Sequence, residues 1–398
     1  MRPLEGLVIL DLSRVLACPF ATMILAEMGA EVIKVEQPGS GDETRSFEPF
    51  AQGPEGEVSG YYMACNRSKR SITVNLRSEK GRDVIRGLAA QADVLVENFP
   101  VGTLKRRGLG HQDLAALNPR LVYVSCTGFG QTGPYARRKG YDTVFQAMSG
   151  LMSLTGERGG GPVKPGLPVA DLSSGLWVAI AILSALQGRA RTGQGGHVDV
   201  SMFDAQVAQL TIAAARYFAL GEVPPRLGTE HPGRVPSASF RCRDDRWVHI
   251  TVSDQHWAPL CRALDLPALG ADPALATNAG RLARREEVMR AIAEAMAQRT
   301  RAEAFAALDG ADVPAGPLLS VDEVMEDEHV RARGMVERFA HPVLGEFPGL
   351  RVPLRFEGWE DPLLARPPLL GEHTEQVLRE RLGMDAAGIA ELREAGAL

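Results

Sequence analysis

The stretch LVILDLSRVLACPFATMILAEMGAEVIKVEQPGSG, Leu7 to Gly41, decides the fold. Leu7 to Leu10 is an apolar run ending at Asp11, with the length and content of a buried strand. Pro19 to Gly29 carries the start and stop of a helix, proline in the first turn and glycine at the end. Val32 to Val35 reads as a second strand, and a polar loop follows from Gln37 to about Ser59. The alternation continues. Ile72 to Asn75 reads as strand, Ser78 caps a helix to about Ala90, and Asp93 to Val96 is a strand ending at Glu97-Asn98. Leu121 to Ser125 is another, followed by the glycine-rich turn Thr127 to Gly133. Short apolar strands separated by helices predict an α/β fold with an open parallel sheet covered on both faces. Ligands of such sheets bind beyond the carboxyl ends of the strands. That rule singles out Asp11 to Ala17, Glu36 to Gly41, Glu97 to Gly102 and Ser125 to Gly133.

A helix is expected from Leu172 to about Gln187, a short strand over Val198 to Val200, and a long helix from Phe203 to Leu220. Gly221 to Pro236 is rich in Gly, Pro and Arg and reads as a linker or an active-site loop. A different pattern then begins, with Arg246 to Val252 as strand, Trp257 to Leu264 as helix, and Arg285 to Leu308 as helical surface against a core. Gly310 to Pro317 breaks it, Val321 to Glu326 is a short helix, and Ala386 to Ala397 a last one. The boundaries expected are 1–225 for a large domain, 226–330 for a smaller α/β domain, and 331–398 for a segment returning to the large domain.

Composition narrows the function. The chain has 398 residues, 45% apolar and 23% charged, which is the balance of a globular protein. Its net charge of −5 gives no global reason to bind nucleic acid. The cysteines at 18, 65, 126, 242 and 261 form no CxxC pair and lie near no histidine at metal-ligand spacing, so neither a disulfide framework nor a metal site is expected. A reducing, cytoplasmic setting follows, and the N-terminus shows no signal-peptide pattern. The apolar run Leu176 to Leu186 is too short to span a bilayer and reads as a buried helix. DLSRVLACP after the first strand contains no GxGxxG, and no Walker sequence occurs, which argues against a nicotinamide dehydrogenase or a P-loop NTPase.

Asp171, in GLPVADLSSG at the start of the most apolar helix, admits two readings. An aspartate there caps the helix by accepting backbone N–H bonds; a carboxylate in that place is also a nucleophile candidate. Three basic clusters, at Arg67, Lys69 and Arg70, at Lys105 to Arg107, and at Arg137 to Lys139, are either solvated faces or contacts for a ligand with several phosphates. The glycines of Met148 to Gly161 make either a mobile lid or a surface loop. Cys18 and Cys126 read as core or pocket wall.

RVLACPFATMILAEMGAEVIKVEQPGSGDETR (Arg14 to Arg45), NRSKRSITVNL (Asn66 to Leu76), ADVLVENFPVGTLKRRGLG (Ala92 to Gly110) and YVSCTGFGQTGPYARRKGYD (Tyr123 to Asp142) continue in order with PGLPVADLSSGLW (Pro165 to Trp177), GQGGHVDVSMFDAQ (Gly193 to Gln206) and RPPLLGEHTEQVL (Arg366 to Leu378). Across nearly the whole chain this resembles the CaiB/BaiF coenzyme A transferases, the class III or formyl-CoA transferase family. The resemblance implies a large domain with an open, Rossmann-like parallel sheet built from both termini, a smaller α/β domain, and a homodimer of two interlocked chains. It places the nucleophile on Asp171 and coenzyme A contacts on Val15, Ala17, Asn98, Phe99, Arg106, Lys139 and Tyr141. Gln37 stands where some members have a basic residue near the nucleotide.

Acyl-CoA is then a substrate rather than a resident cofactor, and no metal is implied. The implied reaction is CoA transfer to a small carboxylic acid through aspartyl anhydride and aspartyl-CoA thioester intermediates. ACPFAT, GYDTVFQAMSGLMSLTG and RPPLLGEHT look most like the succinyl-CoA-dependent branch that takes dicarboxylates of four to six carbons. Arg45, Arg67 and His231 are the candidates for the second carboxylate, and Gly156, Gly159 and Gly160 for a cover that excludes water. Related α-methylacyl-CoA racemases carry a histidine before the aspartate where this chain has Tyr141-Asp142; its absence removes one of the two bases racemisation needs and leaves racemase activity a distant alternative. A non-catalytic CoA-binding homologue is the other.

Overall fold

The computed structural model describes all residues, Met1–Leu398. Six strands form one wholly parallel sheet: β1 (Val8–Asp11), β2 (Glu31–Glu36), β3 (Arg70–Thr73), β4 (Val94–Glu97), β5 (Val122–Thr127) and β6 (Gly196–Ser201), in the order β3-β2-β1-β4-β5-β6. Alternate residues point to opposite faces. Leu10, Ile33, Ile72, Leu95 and Tyr123 therefore enter one core layer, while Ile9, Val32, Val94, Val122 and Val124 enter the other. Both faces are apolar because helices cover both. The order reverses between β1 and β4, which opens a crevice at their carboxyl ends.

Helices α1 (Ala17–Glu27) and α4 (Val169–Thr192) cover the second face; α2 (Glu79–Ala89), α6 (Thr374–Leu382) and α7 (Ala386–Glu394) cover the first. Between them in sequence lie α3 (Asp142–Met148) and α5 (Met202–Gln209). All six strands lie between Val8 and Ser201, so the C-terminal segment adds no strand to the sheet. The C-terminal segment returns as helices, placing Val377, Leu378, Ile389 and Leu392 beside Ile85 and Leu88. α4 is longer than expected at 24 residues, long and apolar enough to cross a membrane by those two criteria. Its inner residues Val178, Ala179 and Ile182 are packed in the sheet layer.

Contact density divides the chain into one unit of residues 1–151, 165–215 and 328–398, and a second of 152–164 and 216–327. The second therefore includes a segment that the boundaries 226–330 leave out. Its antiparallel strands β7 (Ser237–Arg241), β8 (Trp247–Thr251) and β9 (Ala315–Pro317) pack with helices around Val248, Ile250, Ile292 and Leu308. Arg285 to Leu308 is two helices, because Thr300 and Glu303 form a capping box that starts a new one. Phe203 to Leu220 is likewise two, interrupted at Leu210.

α4 meets α1 at Gly175, where a Cβ would lie 2.5 Å from the Ala17 carbonyl oxygen and 3.0 Å from the Phe20 ring. Alanine normally stabilises a helix relative to glycine by about 1 kcal/mol. Gly175→Ala is expected to do the reverse, lowering stability by about 1–3 kcal/mol through overpacking. Thermal denaturation gives the sign.

Candidate active site

The crevice is a cleft of about 820 Å³ at the ends of β1 to β4, walled by Ser13, Arg14, Gln37, Arg77, Phe99 and Arg107 among others. One wall is the turn from β1 into α1. There Val15 has φ +69°, a conformation costly for a β-branched residue and often a mark of function. Ala17 is buried in the first turn of α1, and no side chain caps that helix. Asn98 does not point freely into the cleft: its Oδ1 accepts from Arg14 N at 2.9 Å and its Nδ2 donates to Arg14 O at 2.7 Å. Phe99 lies under the Arg14 guanidinium, 4.9 Å from ring centre to carbon.

Arg14, Arg77 and Arg107 reach this cleft with no carboxylate paired to any of them. Burial, then Arg77, Arg82, Arg106 and Arg14, pull the Arg107 guanidinium below its ordinary value. Positive charge crowded this way favours an anion with several phosphate groups. Arg106 is more peripheral, donating from Nη2 to Thr103 Oγ1 at 3.3 Å. Arg14 and Arg77 belong to none of the basic clusters in the sequence; their placement after β1 and β3 was the available signal. Lys139 and Tyr141 are exposed, Tyr141 by 77%. The chain between them passes so close to Phe145 that a Cβ at Gly140 would lie 2.6 Å from its ring.

α4 begins at Val169 with Pro168 as its N-cap, so Asp171 is the third helical residue and not the cap. The cap comes from another helix. Asp142 Oδ1 accepts from Ala170 N at 2.8 Å and from Asp171 N at 3.2 Å, while its Oδ2 accepts from Gln146 Nε2 at 2.5 Å. Asp142 thus takes the N–H groups that usually settle a carboxylate at a helix start. The Asp171 carboxylate itself receives no hydrogen bond. Burial first, and the neighbouring Asp142 charge second, raise it to about 7. Its charge is also felt by a group that the sequence did not single out. Tyr61 is pushed up to about 12, by burial and then by Asp171, and its ring meets Phe47 edge-on at 5.5 Å.

Two expected substrate contacts are engaged elsewhere. Arg45 donates to both oxygens of Glu36, at 2.8 and 2.7 Å, with its guanidinium 3.7 Å above the Tyr62 ring. Arg67 is buried, bonded to Glu27 Oε1 at 3.0 Å and to Leu350 O at 2.6 Å. Lys69, from the same cluster, bonds Asp11 at 3.0 Å in the interior. These charges hold the fold and are not available to a substrate carboxylate. Gly156, Gly159, Gly160 and His231 belong to the second unit. Within it the glycine segment is a tied loop: Arg226 Nε donates to Gly160 O at 3.0 Å and Gly228 N to Gly156 O at 2.9 Å. His231 Nδ1 accepts from Gly233 N at 3.0 Å.

The model of CoA-transferase family III matches residues 4–374. The chain is similar to the succinyl-CoA:glutarate CoA-transferase of Homo sapiens, 40% identical over all of this chain and 90% of that protein. It is also similar to the succinate–glutarate CoA-transferase of Agrobacterium fabrum, 40% identical over 95% of each. Among solved structures, a CaiB/BaiF family protein from Brucella suis superposes with a TM-score of 0.87 at 41% identity, over 96% of this chain and 99% of that one.

The raised Asp171 carboxyl has a stability consequence with a definite sign. Its folded value of about 7 exceeds the ordinary 3.8, so the stability it contributes is full below about 4 and is lost as pH rises through 7. Asp171→Asn removes that loss. Its melting temperature is expected to match the parent's near pH 4, to rise above it between pH 4 and 7, and to hold a constant lead beyond; thermal scans across pH measure the difference.

Proposed function

The chain belongs to CoA-transferase family III and is a CoA-transferase; we propose that it moves coenzyme A from succinyl-CoA to a small dicarboxylate of the glutarate type. The observation that carries the mechanism is the Asp171 carboxylate, half-buried, unbonded and raised to about 7. A carboxylate freed of hydrogen bonds is a better nucleophile than a solvated one. One of its oxygens attacks the thioester carbonyl, giving a mixed anhydride and the CoA thiolate. The thiolate attacks the aspartyl carbonyl and releases succinate, leaving an aspartyl-CoA thioester. An acceptor carboxylate displaces the thiolate to form a second anhydride. The thiolate then attacks the acceptor's carbonyl, which regenerates Asp171 and yields the new acyl-CoA. Water must be kept out throughout, since every intermediate hydrolyses.

The cleft between β1 and β4 suits the nucleotide end of coenzyme A, with Arg14, Arg77, Arg106 and Arg107 meeting its phosphates where Gln37 brings no charge. Val15 and Ala17 border the path from this cleft toward α4. Lys139 and Tyr141 take the exposed side of the ligand. The outer face of α4 exposes Leu176, Trp177, Ile180 and Leu183, at 50, 45, 50 and 37%, on a helix whose inner face is packed. That stripe favours a second copy of the chain, and the protein acts as a homodimer. Five unpaired, buried cysteines fit a reducing compartment.

Purified protein mixed with succinyl-CoA and a pool of carboxylic acids is expected to yield one new dicarboxyl-CoA, identified by mass spectrometry and absent with Asp171→Ala. Intact succinyl-CoA with every acid would refute the donor assignment. Arg77→Ala and Arg107→Ala are each expected to raise the KM for the CoA donor about 10- to 100-fold, the scale of a lost charge-assisted bond. Both are expected to reduce the preference for CoA over its 3′-dephospho form.

A further inference from the structure

The turn from β1 into α1 is held by side chains at almost every backbone polar group. Ser13 N donates to Asp11 Oδ1 at 2.9 Å, and Ser13 O accepts from Lys34 Nζ at 3.0 Å. Arg14 N and O are both taken by Asn98, as above. Val15 N donates to Asp42 Oδ1 at 3.3 Å. The two charged members are bonded to each other, Lys34 Nζ to Asp42 Oδ2 at 2.9 Å, and their side chains are 0 and 1% exposed. Asp42 is fixed in turn: its Oδ1 accepts from Thr44 N and Oγ1, and its N–H donates to Glu36 Oε2 at 2.9 Å.

Two unfavourable features coincide at this turn. A buried ion pair is seldom worth more to stability than two apolar residues of the same size. A valine at φ +69° is strained where glycine would not be. Neither is explained by packing alone. Both are explained if the shape of the turn matters, since Lys34 and Asp42 also wall the cleft and the uncapped start of α1 follows at once. Parallel-sheet proteins commonly make such a turn from glycines, whose flexibility the backbone must then lose on binding. Here side-chain hydrogen bonds hold the turn at residues 13, 14 and 15.

We infer that the buried Lys34–Asp42 pair, with Asn98, is a positioning device that holds Val15 left-handed and so presents the turn and the first amides of α1 to bound coenzyme A. The inference rests on the cleft being the coenzyme A site, as proposed above. Lys34, Asp42 and Asn98 act through the backbone of residues 13 to 15 and are not catalytic residues.

The test replaces the pair together, Lys34→Met with Asp42→Leu, so that no lone buried charge remains. Calorimetry with coenzyme A is expected to show the Kd raised by about tenfold or more. With the acyl-CoA donor, KM is expected to rise and kcat to change far less. A second readout needs no ligand. Val15→Gly is expected to raise the melting temperature of the parent, where the clamp enforces strain, and to raise that of the double variant less. Unchanged affinity in the double variant, or an equal effect of Val15→Gly in both backgrounds, would overturn the inference. Failure of the parent itself to bind coenzyme A would refute the ligand assignment, and the paired melting temperatures would still decide whether the clamp strains Val15. If the double variant does not fold, Asn98→Ala replaces it with the same readouts and expectations.

Discussion

The close approach of α4 to α1 at Gly175 is the constraint on which the site depends. With no side chain at that position, the Ala17 carbonyl lies where a Cβ would otherwise be. The helix carrying Asp171 is thereby seated on the helix that follows the β1 turn, whose Ser13 and Arg14 wall the cleft. Pro168 offers no side-chain cap, so the first N–H groups take theirs from Asp142 on α3. Asp171, relieved of capping, is left with a half-buried and unbonded carboxylate.

Charge in this unit falls into two populations. Lys34 with Asp42, Lys69 with Asp11 and Arg67 with Glu27 are buried pairs that cancel, as does the half-buried Arg45 with the buried Glu36. At Asp11 burial pushes the carboxyl up, yet Lys69, Lys34 and the bonds from Ser13 and Thr22 outweigh it and hold it at about 2. The second population is uncancelled. It comprises the arginines of the cleft and the carboxylate of Asp171, which burial and the neighbouring Asp142 charge raise. The proposed chemistry draws on the second population, since an unbalanced group gains most when a ligand of opposite charge or an electrophile arrives.

Much of the fold was legible along the chain. Strands such as Val8–Asp11 and Val94–Glu97 are continuous apolar runs because both of their faces are buried, and such runs need no knowledge of their partners. The capping box at Thr300 and Glu303 was equally present, though the long helical pattern around it obscured the break. The basic clusters were less transparent. Arg67 and Lys69 look like the other clusters in sequence, but they turn inward to Glu27, Leu350 and Asp11, residues up to 283 positions away. Arg77 and Arg14, isolated in sequence, reach the cleft. Tyr61 carries no local signal of its closeness to Asp171.

Local pattern by itself therefore determined the parallel sheet, the strand ends that wall the cleft, and Asp171 as a candidate at a helix start, because periodicity and caps are set by near neighbours. Tertiary structure alone decided which charges are cancelled and which are free, why Asp142 and not Asp171 caps α4, and that Val15 is held left-handed. Those outcomes depend on burial and on partners brought together through space, where an electrostatic interaction is strengthened by the loss of water and not by closeness in sequence.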